Sequence, residues 1–427
     1  MRGFSHRGLR FAVGASIKIV AAQAKNKLQH PMTEPKRIPG NQFLHSPGPT
    51  HVPDAVVHAM SRQPMDMADP RVDQTIAAVE AGLKRLLQTQ AAEVFIYGAN
   101  GHGAWEAVVA NLVAPGQKVL VPGTGHFSDS WAVQTEAMGG QVVRTPWVEG
   151  LPIDAQVVEQ LLRADTAHEI VAVFAVHTDT ASSITSDMQA LRAALDAARH
   201  PALLVVDVVA SLGAAPFAMD ALGANVVLGA SQKGLMCPPG LGFAAADARA
   251  MAVCGSNPAP RFYWDWRLRS SEFSYRKFCG TPPQTLLAGM EAALGLIFQE
   301  GVEQVLARHA LVARVVHAAV QRWSEAGALR FFGTLAQTRS TSVTTVLVGS
   351  GIDPDALRTV ARERFQVAIA GGLGPLSGRV FRIGHLGDMN AAMLLGCLAG
   401  VEAAMTVQGI PYGRGAMDKA VACLARG

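Results

Sequence analysis

The sequence predicts an α/β fold: a mostly parallel central sheet with helices on both faces, followed by a smaller C-terminal α+β domain. Three observations predict it. Between residues 91 and 231, short Val/Leu/Ile-rich runs alternate with amphipathic stretches of helical period, the order that builds β-α-β units. The runs are almost continuously apolar, which suits strands buried on both faces better than strands with one wet face. From about residue 285 the order changes to a long helical tract, then isolated strands and single helices.

Taken in order, AAEVFIYG reads as a strand, and GANGHGAWEAVVANLVAPG as a glycine-rich turn into a helix closed by Pro-Gly. KVLVPG is a short strand, and FSDSWAVQTEAMGG a helix with a glycine stop. QVVRTPW is a strand, IDAQVVEQLLRADT a helix, EIVAVFAVHTD a buried strand, and SDMQALRAALDAARH a helix started by Ser186-Asp187. ALLVVDVVAS and NVVLGAS complete the series. Beyond GTPPQTLLAGMEAAL, a helical tract spans about 285 to 325. The strand STSVTTVLVG, a helix at DPDALRTVARERF, a strand pair around VAIAGG and RVFRIG, and a final helix from Met389 follow. The expected organisation is a basic N-terminal extension over 1–38, a large domain over 39–290 and a small domain over 291–427.

With 427 residues and 49% hydrophobic content the chain can bury a large core. Only 16% of residues are charged, which sets it apart from disordered chains and from nucleic-acid binders. The net charge of +4 is misleading until it is located. Residues 1–38 hold eight Lys/Arg and one acid, so the remainder carries about −3. The extension reads either as an organellar transit sequence or as residues upstream of a start at Met32, and the second is preferred because nothing in it joins the rest of the pattern. Five scattered cysteines without CxxC spacing point to a reducing compartment, with the cytoplasm expected, and to no structural zinc. Thirteen histidines without an HExxH or His/Cys cluster argue against a metal enzyme. No apolar run predicts a membrane span; the alanine-rich segment 389–406 suits a packed helix.

In a parallel sheet, ligands bind beyond the carboxyl ends of the strands. GANGHG, GTGHFS, HTDTASS, Asp207 and SQK all fall there. Lys233 is the only lysine between Lys118 and Lys277 in a chain that otherwise favours arginine. It either snorkels to solvent or uses its amine; a desolvated lysine has a lowered pKa and adds to aldehydes as a Schiff base. Asp207 interrupts the apolar run LLVVDVV, where a carboxylate needs a buried cation, either an arginine or a protonated pyridine nitrogen. Together the two suggest pyridoxal 5'-phosphate, whose ring then acts as an electron sink. Gly101 and His102, where the glycine-rich turn becomes a helix, can offer backbone N–H groups to its phosphate. ANGHG is not a GxGxxG fingerprint, and no acid is placed to bind a ribose, which counts against a nicotinamide dehydrogenase.

VDVVASLG, GASQKG followed by PPG, the run from YWDWRLR to GTPP, and FRIGHLGDMN carry a family resemblance. The chain resembles the class V, fold-type I pyridoxal-phosphate aminotransferases, and within them the serine-glyoxylate and alanine-glyoxylate enzymes, from about Pro47 to about residue 420. The resemblance implies that Lys233 holds the cofactor and moves the proton between the substrate Cα and the cofactor, and that Asp207 pairs with the ring nitrogen. It implies an aromatic stacked on the ring at Phe127, whose alternative is a core phenylalanine, and a contact near the ring hydroxyl from Thr180. Gly101, His102 and Gln232 would bind the phosphate, joined by Thr281 from a second subunit, so a homodimer with shared sites is expected. Arg382 would clamp the substrate carboxylate, with Gly48 beside it. The expected reaction is ping-pong transfer of an amino group from a small L-amino acid (serine, alanine or aspartate) to a small 2-oxo acid (glyoxylate or pyruvate), with no nucleic-acid or membrane partner. A lyase or desulfurase on the same fold, or a non-catalytic protein that kept the scaffold, are the alternatives. Asp66-Met67-Ala68, ANGHG, TASS and Phe278 depart from the family pattern and leave substrate choice open.

Overall fold

The computed structural model describes residues 40–427, so the expectation for the basic extension lies outside the described residues. In chain order the strands are β1 (Phe43–His45), β2 (Glu93–Ala99), β3 (Lys118–Val121), β4 (Gln141–Arg144), β5 (Ile170–Val176), β6 (Thr178–Asp179), β7 (Ile184–Thr185), β8 (Leu203–Asp207), β9 (Val226–Ala230), β10 (Gly240–Ala246), β11 (Leu329–Phe331), β12 (Val343–Val348), β13 (Val367–Gly371) and β14 (Val380–Gly384). Seven of them form the main sheet in the order β2-β10-β9-β8-β5-β3-β4. All neighbours in it are parallel except β10, which runs antiparallel between β2 and β9. Strand order doubles back on sequence order at β3 and β5, so the loops that follow these two strands diverge and leave a crevice beyond their carboxyl ends, beside that of β8.

Period-two alternation divides the buried side chains of this sheet between two cores. Leu203 and Val205, with Phe174, Val226 and Leu228, pack against the layer that includes Gly101–Leu112 and His126–Ala137. Leu204, Val206, Val173 and Val227 face the opposite layer, which includes Pro70–Leu87, Met188–Ala198 and Gln284–Glu300. This two-sided burial is why the strands read as unbroken apolar runs. Helix starts follow the capping rule: Asp154, Asp187 and Asp247 each accept from backbone N–H groups of the turn they open.

The expected helical tract over 285–325 is two helices, Gln284–Glu300 and Val302–Ser324, bent by 84°. Gly301 makes the break, with a φ of +93°. Beyond it lies a five-stranded sheet in the order β1-β13-β14-β12-β11. β1 enters this sheet from the start of the described chain, parallel to β13, so the segment just before Pro47 is anchored on the C-terminal sheet. The expected final helix is Ala391–Val407, and a further helix, Ala416–Ala425, follows it.

Candidate active site

Asp207 is the last residue of β8 and shares its parity with Leu203 and Val205, so its side chain emerges on the face of the helix Gly101–Leu112. It is buried. Its Oδ1 accepts from Val209 N–H at 2.6 Å and its Oδ2 from Trp105 Nε1–H at 2.8 Å. No arginine pairs with it among the described residues, so the structural ion pair that could have explained a buried carboxylate is not formed. Burial pushes its pKa up to about 6; the Val209 and Trp105 hydrogen bonds oppose the rise, Asp179 adds to it, and Lys233 opposes it.

Lys233 sits on the turn after β9 and is buried; its ammonium does not snorkel to solvent. Its Nζ donates to the Pro47 carbonyl, and Thr50 Oγ1 donates to the Lys233 carbonyl at 3.1 Å, so the PGPT segment lies across it. Gly48 makes this approach possible: its φ is +136°, and a Cβ there would meet Lys233 Cε at 2.5 Å. Burial pushes the Lys233 amine down to about 8; neighbouring Arg382 adds to this, and Asp207 and Asp179 oppose it.

Both groups line one cavity of about 260 Å³, together with Gly48, Gly101, His102, Phe127, Thr180 and Gln232. Phe127 is half-buried at its wall. The backbone N–H of Phe127 donates at 2.9 Å to Asp179, a fully buried carboxylate that also accepts from Ala181 N–H at 2.8 Å and Thr124 Oγ1 at 3.2 Å. Asp179 thereby ties the loop after β3 to the β6-β7 turn that presents Thr180. Arg382, in the middle of β14, stands behind this wall and is not itself among the lining residues. Its Nε donates to Gly371 O at 2.6 Å and its Nη1 to Thr180 O at 2.8 Å, with no carboxylate partner among the described residues. Burial pushes it down to about 10; Asp179 opposes the fall and Arg358 adds to it.

The residues fit pyridoxal 5'-phosphate. Asn100 caps the helix Gly101–Leu112 by accepting from Gly103 N–H at 3.2 Å, which leaves the first-turn N–H groups of Gly101 and His102 without intrahelical partners. Gln232 Oε1 is buried without a hydrogen-bond partner, an orphan that a bound group would satisfy. Asp207 supplies a buried anion and Lys233 a buried amine on the same cavity. Thr281 is exposed and does not line it, and Phe278 is buried beside Glu80 and Arg269, also away from it. Trp105 and Asp179 escaped the sequence reading; a polar residue in HTDT and a tryptophan inside a helix were the available signals, and both also suit plain packing. A larger cleft of about 430 Å³ beyond His126 offers no amine, and its Arg144 is engaged by Glu136 at 2.6 Å. Cys237, four residues from Lys233, gives the desulfurase alternative no support: it is buried and its thiol is pushed up to about 12.

Comparison with known proteins agrees with this chemistry. The aminotransferase class-V family model matches residues 42–378. The L-aspartate–glyoxylate aminotransferase of Paracoccus denitrificans is 38% identical over 367 residues, covering 86% of this chain and 91% of that protein. The serine–glyoxylate aminotransferase of Methylorubrum extorquens is 36% identical over 379 residues, covering 88% of this chain and 93% of its own. The crystal structure of ureidoglycine-glyoxylate aminotransferase from Bacillus subtilis superposes with a TM-score of 0.84 at 24% identity, covering 91% of this chain and all of that one, a likeness of fold. The chain belongs to the class V aminotransferases, and pyridoxal 5'-phosphate is its cofactor.

Proposed function

We propose that this aminotransferase takes the amino group of a small L-amino acid, aspartate, serine or alanine, and passes it to a small 2-oxo acid, glyoxylate or pyruvate, in two half-reactions at one site. The observation that carries the proposal is the opening of Lys233 and Asp207 onto a single cavity, with Arg382 bonded to its wall through Thr180. At about 260 Å³ the cavity lies just below the usual range of ligand sites, which favours short substrates once the cofactor is seated. The names of the two relatives, aspartate–glyoxylate and serine–glyoxylate aminotransferase, support aspartate and serine as donors and glyoxylate as acceptor.

When bound, pyridoxal 5'-phosphate supplies an aldehyde carbon that takes up an amine and a ring that withdraws electrons from the substrate Cα. The chain's own groups do the rest. Asp207 keeps a negative charge at the place where a ring nitrogen must stay protonated. Lys233, with its pKa lowered to about 8, can hold or release a proton at Nζ near neutral pH. Arg382, held behind the wall by its bond to the Thr180 carbonyl, attracts the substrate carboxylate to that side of the cavity with its positive charge and with the guanidinium edge that Gly371 and Thr180 leave free. Gly48 keeps the space against Lys233 clear of any side chain.

A homodimer with shared sites is part of the same proposal. Phe262, Phe273 and Tyr275 are 72%, 69% and 60% exposed on the segment that leads to Thr281, an apolar surface suited to a second copy. Thr281, outside its own protomer's cavity, is then free to reach the partner's phosphate.

The test is a half-reaction. With aspartate or serine and no acceptor, absorbance of the aldehyde form of the cofactor should give way to that of the amine form, and glyoxylate should restore it. A holoenzyme whose spectrum no small amino acid changes refutes the proposal.

A further inference from the structure

Asp207 receives two hydrogen bonds, one to each carboxylate oxygen. The donor from Val209 is backbone, and any residue at 209 other than proline would supply it. Trp105 is the only side-chain donor to Asp207 among the described residues. Its indole is clamped: it stacks on Trp131 at 5.5 Å and 8°, and Trp131 stacks on Phe174 at 4.6 Å and 11°. His102 lies 4.5 Å from it, and Phe127 meets it edge-on at 6.3 Å. Turning the N–H away would break that stack.

Packing alone does not account for this donor. Within the same stack, Trp131 buries its own Nε1–H without a partner, so the core tolerates an idle indole N–H; the one at 105 is directed at a carboxylate. The chemistry of the donor matters as well. An arginine or lysine here would favour the ionised carboxylate but would also neutralise it and compete with a ring nitrogen. A neutral N–H favours ionisation and leaves the whole negative charge facing the cavity.

We propose that Trp105 is a positioning residue for Asp207: its indole N–H, fixed by the aromatic stack, holds the carboxylate in the ionised, cavity-facing form that a protonated ring nitrogen requires. The inference rests on the assignment of the cavity to pyridoxal 5'-phosphate. Trp105→Phe keeps a ring in the stack and removes only the donor.

The experiment measures binding of pyridoxal 5'-phosphate to the cofactor-free full chain between pH 5 and 8. Loss of a hydrogen bond to a charged group should weaken the variant's affinity by about tenfold to a hundredfold. Because Asp207 would then hold its proton to higher pH, the acid limb of the affinity curve should also move up. A second measurement does not depend on whether Trp105→Phe folds. In the wild-type cofactor-free protein the Trp105 indole N–H resonance should shift as Asp207 titrates, and in Asp207→Asn it should not. A Trp105→Phe protein with wild-type affinity and pH profile overturns the proposal, as does an indole resonance that stays still across this range. Failure of the wild type to bind the cofactor would instead sink the cofactor assignment, so the two failures are distinguishable.

Discussion

Replacing Asp207 with Asn should stabilise the cofactor-free protein at neutral pH while abolishing amino transfer. The magnitude follows from burial. Its folded pKa of about 6 lies above the ordinary 3.8, so the folded state binds this proton more tightly than the unfolded chain. Below pH 3.8 both states are protonated and the carboxyl costs nothing through ionisation. As pH rises from 3.8 to 6 the unfolded chain releases the proton first, and above 6 the native state carries the full penalty of about 3 kcal/mol. Asn carries no such penalty. Its amide does set an N–H against either Val209 N–H or Trp105 Nε1–H, which costs about 1–2 kcal/mol at every pH. The variant should therefore be less stable than wild type near pH 4 and more stable by about 1–2 kcal/mol above pH 7. A folded body of about 390 residues has an unfolding entropy of about 0.8 kcal/mol/K, so the difference in Tm should swing by about 4 °C and change sign between those limits. Thermal scans of both cofactor-free proteins over a pH series read this directly, because titrating groups remote from Asp207 cancel in the difference; Lys233 and Asp179, which feel its charge, do not. A Tm difference that does not vary with pH, or a variant that still transfers amino groups at the wild-type rate, would refute the reasoning.

Gly48→Ala forces a residue at φ +136° and puts a Cβ within 2.6 Å of Lys233 Nζ, so it should cost about 1–3 kcal/mol in stability and slow cofactor capture; thermal scans and cofactor titration check both. Arg382→Lys loses the planar fork that reaches Gly371 and Thr180, and it should raise the KM for the amino donor by about tenfold or more while leaving the bound-cofactor spectrum intact. The Lys233 amine is the nucleophile only when neutral. The rate at which the cofactor-free protein captures pyridoxal 5'-phosphate should therefore rise with pH and level off above about 8, as followed by stopped-flow absorbance; a rate still climbing at pH 10 would contradict the lowered pKa.

The main sheet was legible because burial on both faces leaves a chemical trace, unbroken Val/Leu runs between amphipathic helices. β10 left no such trace. Its GLGFAAA lacks the Val/Leu run of the other strands, and at Gly242 the side chain is absent where a neighbour comes close: a Cβ there would meet Asn100 O at 2.8 Å. β1 was missed for another reason, since its three residues gain their partner only from β13, more than 300 positions later. The expected tract over 285–325 had continuous helical periodicity, and only the backbone of Gly301 shows that the chain turns there.

In the site, Asp207 stood out because a charge in an apolar run needs a reason, and Lys233 because it is the only lysine between Lys118 and Lys277 in a chain that favours arginine. Their partners did not. Trp105 reads as one more core aromatic, and its N–H acquires meaning only when β8 carries Asp207 to it from 102 residues away. Asp179 lies between two threonines in HTDT, and its role depends on the loop after β3 folding back onto it. Such non-local hydrogen bonds have no period for a sequence to display.

The most direct test of the central claim is to locate the lysine that holds the cofactor. Reduction of the holoenzyme with borohydride, digestion and mass spectrometry should find one cofactor-sized mass increment per chain, on the peptide containing Lys233, and none in Lys233→Ala. An increment on any other lysine, or none on a holoenzyme that shows the cofactor's absorbance, would contradict the account.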